Sequence, residues 1–262
     1  MKSYWTFTQA IKSIAESFDT SQKVKTETWQ GLSTAKRPEL ETIEQLFVSF
    51  SVPIPNTALE RLQKDIHPDL PWADDHFAER VSGIPHNPPP SEAWWPHAAS
   101  NHPFKDSSGL FSHTYPERMW PKGAGLTHSR IDEGYINSGI RFNYGDLNDL
   151  VELLRTQPLT RQAYLPIFFP EDTGAHHGQR IPCTLGYHFI RRNDKLHVVY
   201  YIRSCDFYRH FRNDIYFTCR LLLWVLEQTQ WQGITPGNFI MHITSLHLFV
   251  NDARAALKVA AQ

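Results

Sequence analysis

Cysteine is scarce: three residues in 262, an odd number and too few for a disulfide scaffold, which favours a reducing cytoplasm. Net charge is missing as well. Twenty-six Lys and Arg stand against 27 Asp and Glu, so the summed field gives no reason to expect a nucleic-acid or membrane partner. A local basic pocket for one phosphate is still allowed. No run approaches the ~20 apolar residues needed to span a bilayer, and the longest, Leu221 to Leu226, falls far short. Met1-Lys2-Ser3-Tyr4-Trp5 leads into a mixed polar pattern rather than a signal-peptide core. There is no internal repeat. Metal motifs are absent too: no Cys-x-x-Cys, and no i,i+4 histidine pair with an acidic partner. His176-His177 therefore reads as an exposed loop, and no metal is expected.

What is present is an aromatic, proline-rich chain (13% aromatic, 18 prolines), long enough for one large core and read as a single domain over residues 1–262. Residues 1–70 read as helical. Tyr4 to Phe18 carries apolar residues at helical spacing, and Glu39 to Phe50 and Thr57 to Ile66 predict further helices, split by Pro53 and Pro55. Asp74 to Val81 predicts a short helix. Residues 83–121, rich in Pro, His, Ser and Trp, predict a long ordered loop region of the kind that carries binding groups. Asp146 is a candidate N-cap for a helix to Arg155. Strands are predicted at Ala163–Phe169, Cys183–Arg191 and Lys195–Arg203, the last two joined by an Arg192-Asn193-Asp194 hairpin. Asp214 to Gln228, apolar nearly all round, predicts a buried central helix. A strand over Phe239–Val250 and a short helix close the chain. Segregated helices and hairpins favour α+β over doubly wound α/β.

Cys183 is the residue with chemical potential. Arg203 follows twenty residues later and Asp214 eleven beyond that. A cysteine attacks an electron-poor carbon as thiolate, which needs positive charge or a donor nearby. Arg203 and Arg161 can supply that charge while holding a phosphate bidentately. The plainer alternatives are that Cys183 is a small core hydrophobe and that Asp214 merely caps the helix it starts. Cys205 and Cys219 read as structural.

The stretch from Leu159 to Phe249 resembles the thymidylate synthase superfamily. The carriers are Leu159-Thr160-Arg161, Pro182-Cys183-Thr184, Arg203-Ser204-Cys205-Asp206, Asn213-Asp214 and Ser245-Leu246-His247-Leu248-Phe249, in the family's order. Tyr115-Pro-Glu-Arg-Met-Trp120 is similar to the family's Tyr-Gly-x-x-x-Trp segment, and Glu79 falls where its proton-relaying glutamate falls. Phe211-Arg212-Asn213-Asp214 looks like the phage deoxycytidylate hydroxymethylases. The resemblance implies a thymidylate synthase-like fold, a mixed sheet around a buried central helix, dimerising through the sheet, with residues 145–250 as the nucleotide-binding core. It implies that Cys183 adds to C6 of a pyrimidine nucleoside monophosphate, making C5 nucleophilic toward the one-carbon unit of 5,10-methylenetetrahydrofolate. Arg203, with Arg161 of the partner subunit, would hold the 5′-phosphate. Glu79 would organise proton transfers, Asp206 would contact the pterin, and His247 the sugar hydroxyl. Ser204, Asn213 and Tyr115 would line the substrate. Trp94 and Trp95 are candidates to stack on the folate, with loop-anchoring core packing as the alternative.

Asp214 selects the base. Thymidylate synthases carry asparagine there, which accepts from N3–H and donates to O4 of uracil. A carboxylate only accepts. It suits the 4-amino group of cytosine, and N3 once protonated, and a mismatch in a buried pocket costs about 1–3 kcal/mol. Fifteen residues after His247 are too few for the family's long sealing tail, and a wetter site would let water add to the exocyclic methylene. The expectation is conversion of dCMP to 5-hydroxymethyl-dCMP; a CMP hydroxymethylase, a dCMP methylase releasing dihydrofolate, and a catalytically silent nucleotide-binding regulator are the alternatives. A thiol hydrolase is disfavoured because no histidine is tied to Cys183 by a motif. Phe249 replaces the family's tyrosine, which opens the choice of sugar, while Ser204 favours deoxyribose. Gln162 replaces a second arginine, and no Arg-Thr-Gly phosphate loop is present. Lys23 and Lys25 are substitutes that read more simply as surface charges.

Overall fold

The computed structural model describes residues 1–262 except 27, 30–31, 57–58, 128–144, 174–179 and 261–262. Its elements in chain order are β1 (Lys2–Ser3), α1 (Phe7–Ser17), β2 (Gln22–Val24), β3 (Thr28–Trp29), β4 (Leu32–Ser33), β5 (Thr42–Pro53), α2 (Leu59–Ile66), α3 (Trp72–Arg80), α4 (Tyr115–Met119), α5 (Pro121–Thr127), α6 (Leu147–Thr156), β6 (Tyr164–Pro166), β7 (Thr184–Arg192), β8 (Lys195–Asp206), α7 (Phe211–Thr229), β9 (Thr235–Phe249) and α8 (Ala253–Ala260). Short 3-10 turns punctuate residues 90–104, the ordered loop region expected from composition.

One mixed sheet runs β1-β5-β9-β8-β7-β6, with β2 added on β5 and a separate β3–β4 pair. Pairings are antiparallel except β1–β5 and β8–β9. Alternation sorts β8: Leu196, Val198, Tyr200 and Ile202 are buried, whereas Val199, Tyr201 and Arg203 are half-buried on the other face. The buried face packs under α7, whose Ile215, Leu221, Leu222 and Val225 sit in the main core. The α+β class and the buried central helix stand as expected.

Local signals account for most boundaries. Thr6 caps α1 by accepting from the Gln9 amide, and Phe7, Ala10, Ile11, Ile14 and Ala15 form its buried stripe. Asp146 caps α6 in a capping box with Asp149. Asn193, at φ 52°, turns the β7–β8 hairpin, a left-handed position that asparagine tolerates. The expected helix over Glu39–Phe50 is corrected: this stretch is most of β5, so residues 1–70 are not uniformly helical. Its β-branched and aromatic residues pair with β9 from Thr42↔Phe249 to Pro53↔Asn238, and that long-range ladder overrides helical spacing.

Candidate functional site

Cys183 stands just before β7, and Arg203 on β8 pins its segment from three sides. The Arg203 amide donates to the Cys183 carbonyl (2.9 Å), Nε to the Pro182 carbonyl (2.9 Å) and Nη2 to the Ile181 carbonyl (3.1 Å). Next door, Thr184 Oγ1 donates to the Tyr115 hydroxyl (3.2 Å) and shares a bond with the Tyr200 hydroxyl (2.8 Å). Thr114 holds Tyr115 at the start of α4 by a capping box with Glu117. From α7, Asp214 joins them, its Oδ2 accepting from the Cys205 thiol at 3.5 Å. The structure thus brings Cys183, Arg203, Tyr115 and Asp214 to one place.

Burial dominates the electrostatics. It pushes the Cys183 thiol up; Arg203 and Arg180 pull it back, and Asp214 adds to the rise. Cys183 is therefore at rest a thiol beside two guanidiniums. Burial pushes Asp214 up to about 7, with Arg80 opposing, and Tyr115 up to about 12. For Glu79, burial raises the carboxyl, yet hydrogen bonds from His76 and Ser91 outweigh it and the group ends below its ordinary value. Ser91 gives its amide to Oε1 (2.7 Å) and its hydroxyl to Oε2 (2.5 Å), and shares a bond with His76 Nδ1 (2.9 Å). Burial lowers His76 to about 4, so its imidazole is neutral at pH 7.

At the ends of β8 and β9, Asp206 pairs with His247 in the ladder, and Ser204 Oγ makes a long 3.5 Å contact to His247 Nδ1. Burial lowers His247 to about 4. Asp206 Oδ1 accepts the Tyr208 and Arg209 amides (2.9 and 3.1 Å), while Oδ2 lies 3.7 Å from Arg209 Nε. Phe249 packs edge-on to His247 and under Arg209.

Other expected residues sit apart. Arg161 is exposed before the edge strand β6, its carbonyl accepting from His188 Nε2 (2.9 Å). Asn213 is buried and bonded to Asp69 through both amide atoms (2.9 and 3.0 Å). Trp94 is 49% exposed, its indole N–H on Asp75, whereas Trp95 is 5% exposed and packs on Trp72 and His210. Lys23 and Lys25 are exposed. His176-His177 lies outside the described residues, among which no His, Cys, Asp and Glu cluster could hold a metal. A cavity of about 330 Å³ opens at β1, α1 and β5, and none of these site residues lines it.

Sequence reasoning missed Arg180 and Arg80. Arg180 Nη1 donates to Asn101 (3.0 Å), and its carbonyl accepts from Ser112 Oγ (3.0 Å) and His113 Nδ1 (3.1 Å), which ties the long loop to the segment that leads into Cys183. Arg80, 4% exposed, lies with Cζ 4.3 Å from the Tyr115 ring centroid and 4.2 Å from that of Phe217. Arg80 adjoins Glu79, a signal that was available; Arg180 had none. His76 and Ser91 were also missed, although His76 is three residues from Glu79 on one helix face.

A half-buried thiol in the field of two guanidiniums, on an open mixed sheet under a central helix, defines an α+β scaffold that sets a cysteine beside positive charge. The sequence model of thymidylate synthase matches residues 115–261, more than half of the chain, and the chain belongs to the thymidylate synthase family. The structure is similar to thermostable thymidylate synthase A from Bacillus subtilis, with a TM-score of 0.64 and 14% identity over 98% of this chain and 84% of that one. None of the curated proteins matches. The family's fold suggests folate-dependent one-carbon transfer to C5 of a pyrimidine, and its members bind a nucleotide and are usually dimers. No described helix is long and apolar enough to cross a membrane.

Proposed function

We propose that the protein transfers a one-carbon unit to C5 of a cytidine monophosphate, converting dCMP to 5-hydroxymethyl-dCMP. The observation that carries this reading is Asp214, a carboxylate close enough to Cys183 for its charge to raise the thiol. Oxygens that accept suit the 4-amino group of cytosine, and N3 shares a proton with them; O4 of uracil would meet them without one. Cys183 adds through sulfur to C6, losing the thiol proton, and the π electrons pass to C5. Arg203 and Arg180 stabilise the sulfur as that proton leaves, and the S–C6 bond breaks again when the product forms.

Methylenetetrahydrofolate is typical of the family, and the residues here fit it. Asp206 Oδ2 is not used by the backbone amides that occupy Oδ1, and Trp94 offers a half-exposed indole. When bound, it supplies the one-carbon unit. Trp95 acts through packing. Glu79, Ser91 and His76 form a network that holds and passes protons. His210, lowered to about 3 by burial, with the Arg180 charge adding to the shift, is a neutral imidazole stacked on Trp95 at 5.1 Å. Ser204 against His247 supports deoxyribose. Arg161 lies at the edge of the sheet face that carries Tyr164, Tyr201 and His242, ring against ring (6.4 and 5.3 Å). We infer that a second copy covers this face, bringing Arg161 of the partner subunit toward the phosphate.

The test is incubation with dCMP, CMP or dUMP and methylenetetrahydrofolate, with the product weighed and dihydrofolate followed. A gain of CH2O on dCMP without dihydrofolate is expected. A gain of CH2 with dihydrofolate would make it a methylase, preference for CMP would change the sugar, and preference for dUMP would overturn the base. Binding without turnover would make it a regulator.

A further inference from the structure

Arg80 ends α3 as a guanidinium held between two rings, one from each neighbouring element of the site. Tyr115 comes from α4, and Phe217 from α7, three residues after Asp214 and so beside it on the helix surface. Its backbone carbonyl is fixed by Trp120 Nε1 at 2.9 Å. Side-chain Nε is buried with no hydrogen-bond partner, an unusual state for an arginine 4% exposed. Such a charge, stacked on faces rather than paired, acts on its surroundings by field.

We propose that Arg80 is a specificity-determining positioning residue: from its ring clamp beside Asp214, its charge opposes protonation of that carboxyl and so disfavours uracil. The inference rests on the reading of Asp214 as the base-reading group. A neutral carboxyl mimics an amide, its carbonyl accepting from N3–H and its O–H donating to O4, so uracil fits once Asp214 is protonated. Cytosine takes the same proton at its own N3. Only uracil forces Asp214 itself to become neutral.

The surroundings leave this task to Arg80. Around Asp214 stand Tyr115 from α4, Cys183 before β7, Tyr187 from β7, and Tyr200, Cys205 and Asp206 from β8. The tyrosines and thiols are all raised by burial and stay protonated, and Asp206 opposes ionisation. Arg80 favours it. On the other side of Arg80, His76 is neutral and screens nothing.

The experiment is calorimetric titration of wild type, Arg80→Met, Arg80→Gln and Arg80→Lys with dCMP and dUMP from pH 6 to 9. In wild type, dUMP affinity falls as pH rises through about 7. In the neutral variants the midpoint moves up by about one unit, so dUMP binds about threefold better at pH 7.5 while dCMP changes less. Arg80→Lys keeps the wild-type midpoint. Glutamine keeps a planar donor between the rings, so Arg80→Gln carries the test where methionine fails to fold. An unchanged dUMP profile in a folded neutral variant overturns the proposal. A wild type indifferent to base at every pH overturns instead the reading of Asp214.

Discussion

Replacing Asp214 by asparagine should make the protein more stable at alkaline pH and reverse its choice of base. Burial raises this carboxyl from 3.8 to about 7 in the folded chain. That is about three units, or about 4 kcal/mol at 1.36 kcal/mol per unit. Part of the residue still reaches solvent, so screening reduces the realised figure to about 2 kcal/mol. The sign follows from the raised value. The folded state prefers the neutral acid, so stability is fully present below the unfolded value of 3.8 and is lost as pH rises through about 7. Asparagine does not titrate, and its carbonyl can accept from Cys205 as the carboxylate does. Thermal melts from pH 4 to 8.5 should therefore converge at the acid end and separate by about 4–8 °C at pH 8, with the variant higher. The same amide donates to O4, so preference should swing toward dUMP by about ten- to a hundredfold. Melting curves separated equally at pH 4 and pH 8.5 would refute the burial argument. An unswayed base preference would refute the assignment of Asp214 as reader.

Two further outcomes are expected. Arg180→Gln removes a charge that pulls the Cys183 thiol down, so the pH midpoint of iodoacetamide alkylation at Cys183 should move up; an unmoved midpoint would place Arg180 outside the nucleophile's field. Asp172→Ala removes the bidentate partner of Arg118, both side chains 1% exposed and bonded at 2.9 Å twice, and a bond to the Phe169 amide (2.8 Å). Urea unfolding should show a loss of about 3–5 kcal/mol, and a loss under 1 would mean the pair is wet.

Much of the fold was legible because local physics wrote it. The Thr6 and Asp146 caps, the apolar stripe of α1, the Asn193 turn and the run from Leu221 to Leu226 each specify their element within a few residues. Glu39–Phe50 was not legible. Its apolar residues satisfy a helical period as well as a strand, and β9, nearly two hundred residues away, makes the choice. The tryptophan pair was half legible: adjacent residues point different ways, so Trp94 meets solvent and Trp95 the core. Asn213 shows the same limit, since one step along α7 turns its amide to Asp69 while Asp214 lies toward Tyr115 and Cys183.

The sequence by itself determined the class of elements and singled out Cys183 and Asp214 as the candidates for nucleophile and base reader, because spacing and residue chemistry survive without coordinates. Only the tertiary structure decided which charges act on them. Arg180 lies in a loop with nothing in the linear pattern to mark it, and Arg80 lies at a helix end with only its neighbour Glu79 as a sign. They reach Cys183 and Asp214 because Asn101 of the long loop holds Arg180 and α3 packs on α4 and α7. Burial then raises Cys183, Asp214 and Tyr115, and burial is a property of the packed chain, not of any residue in it.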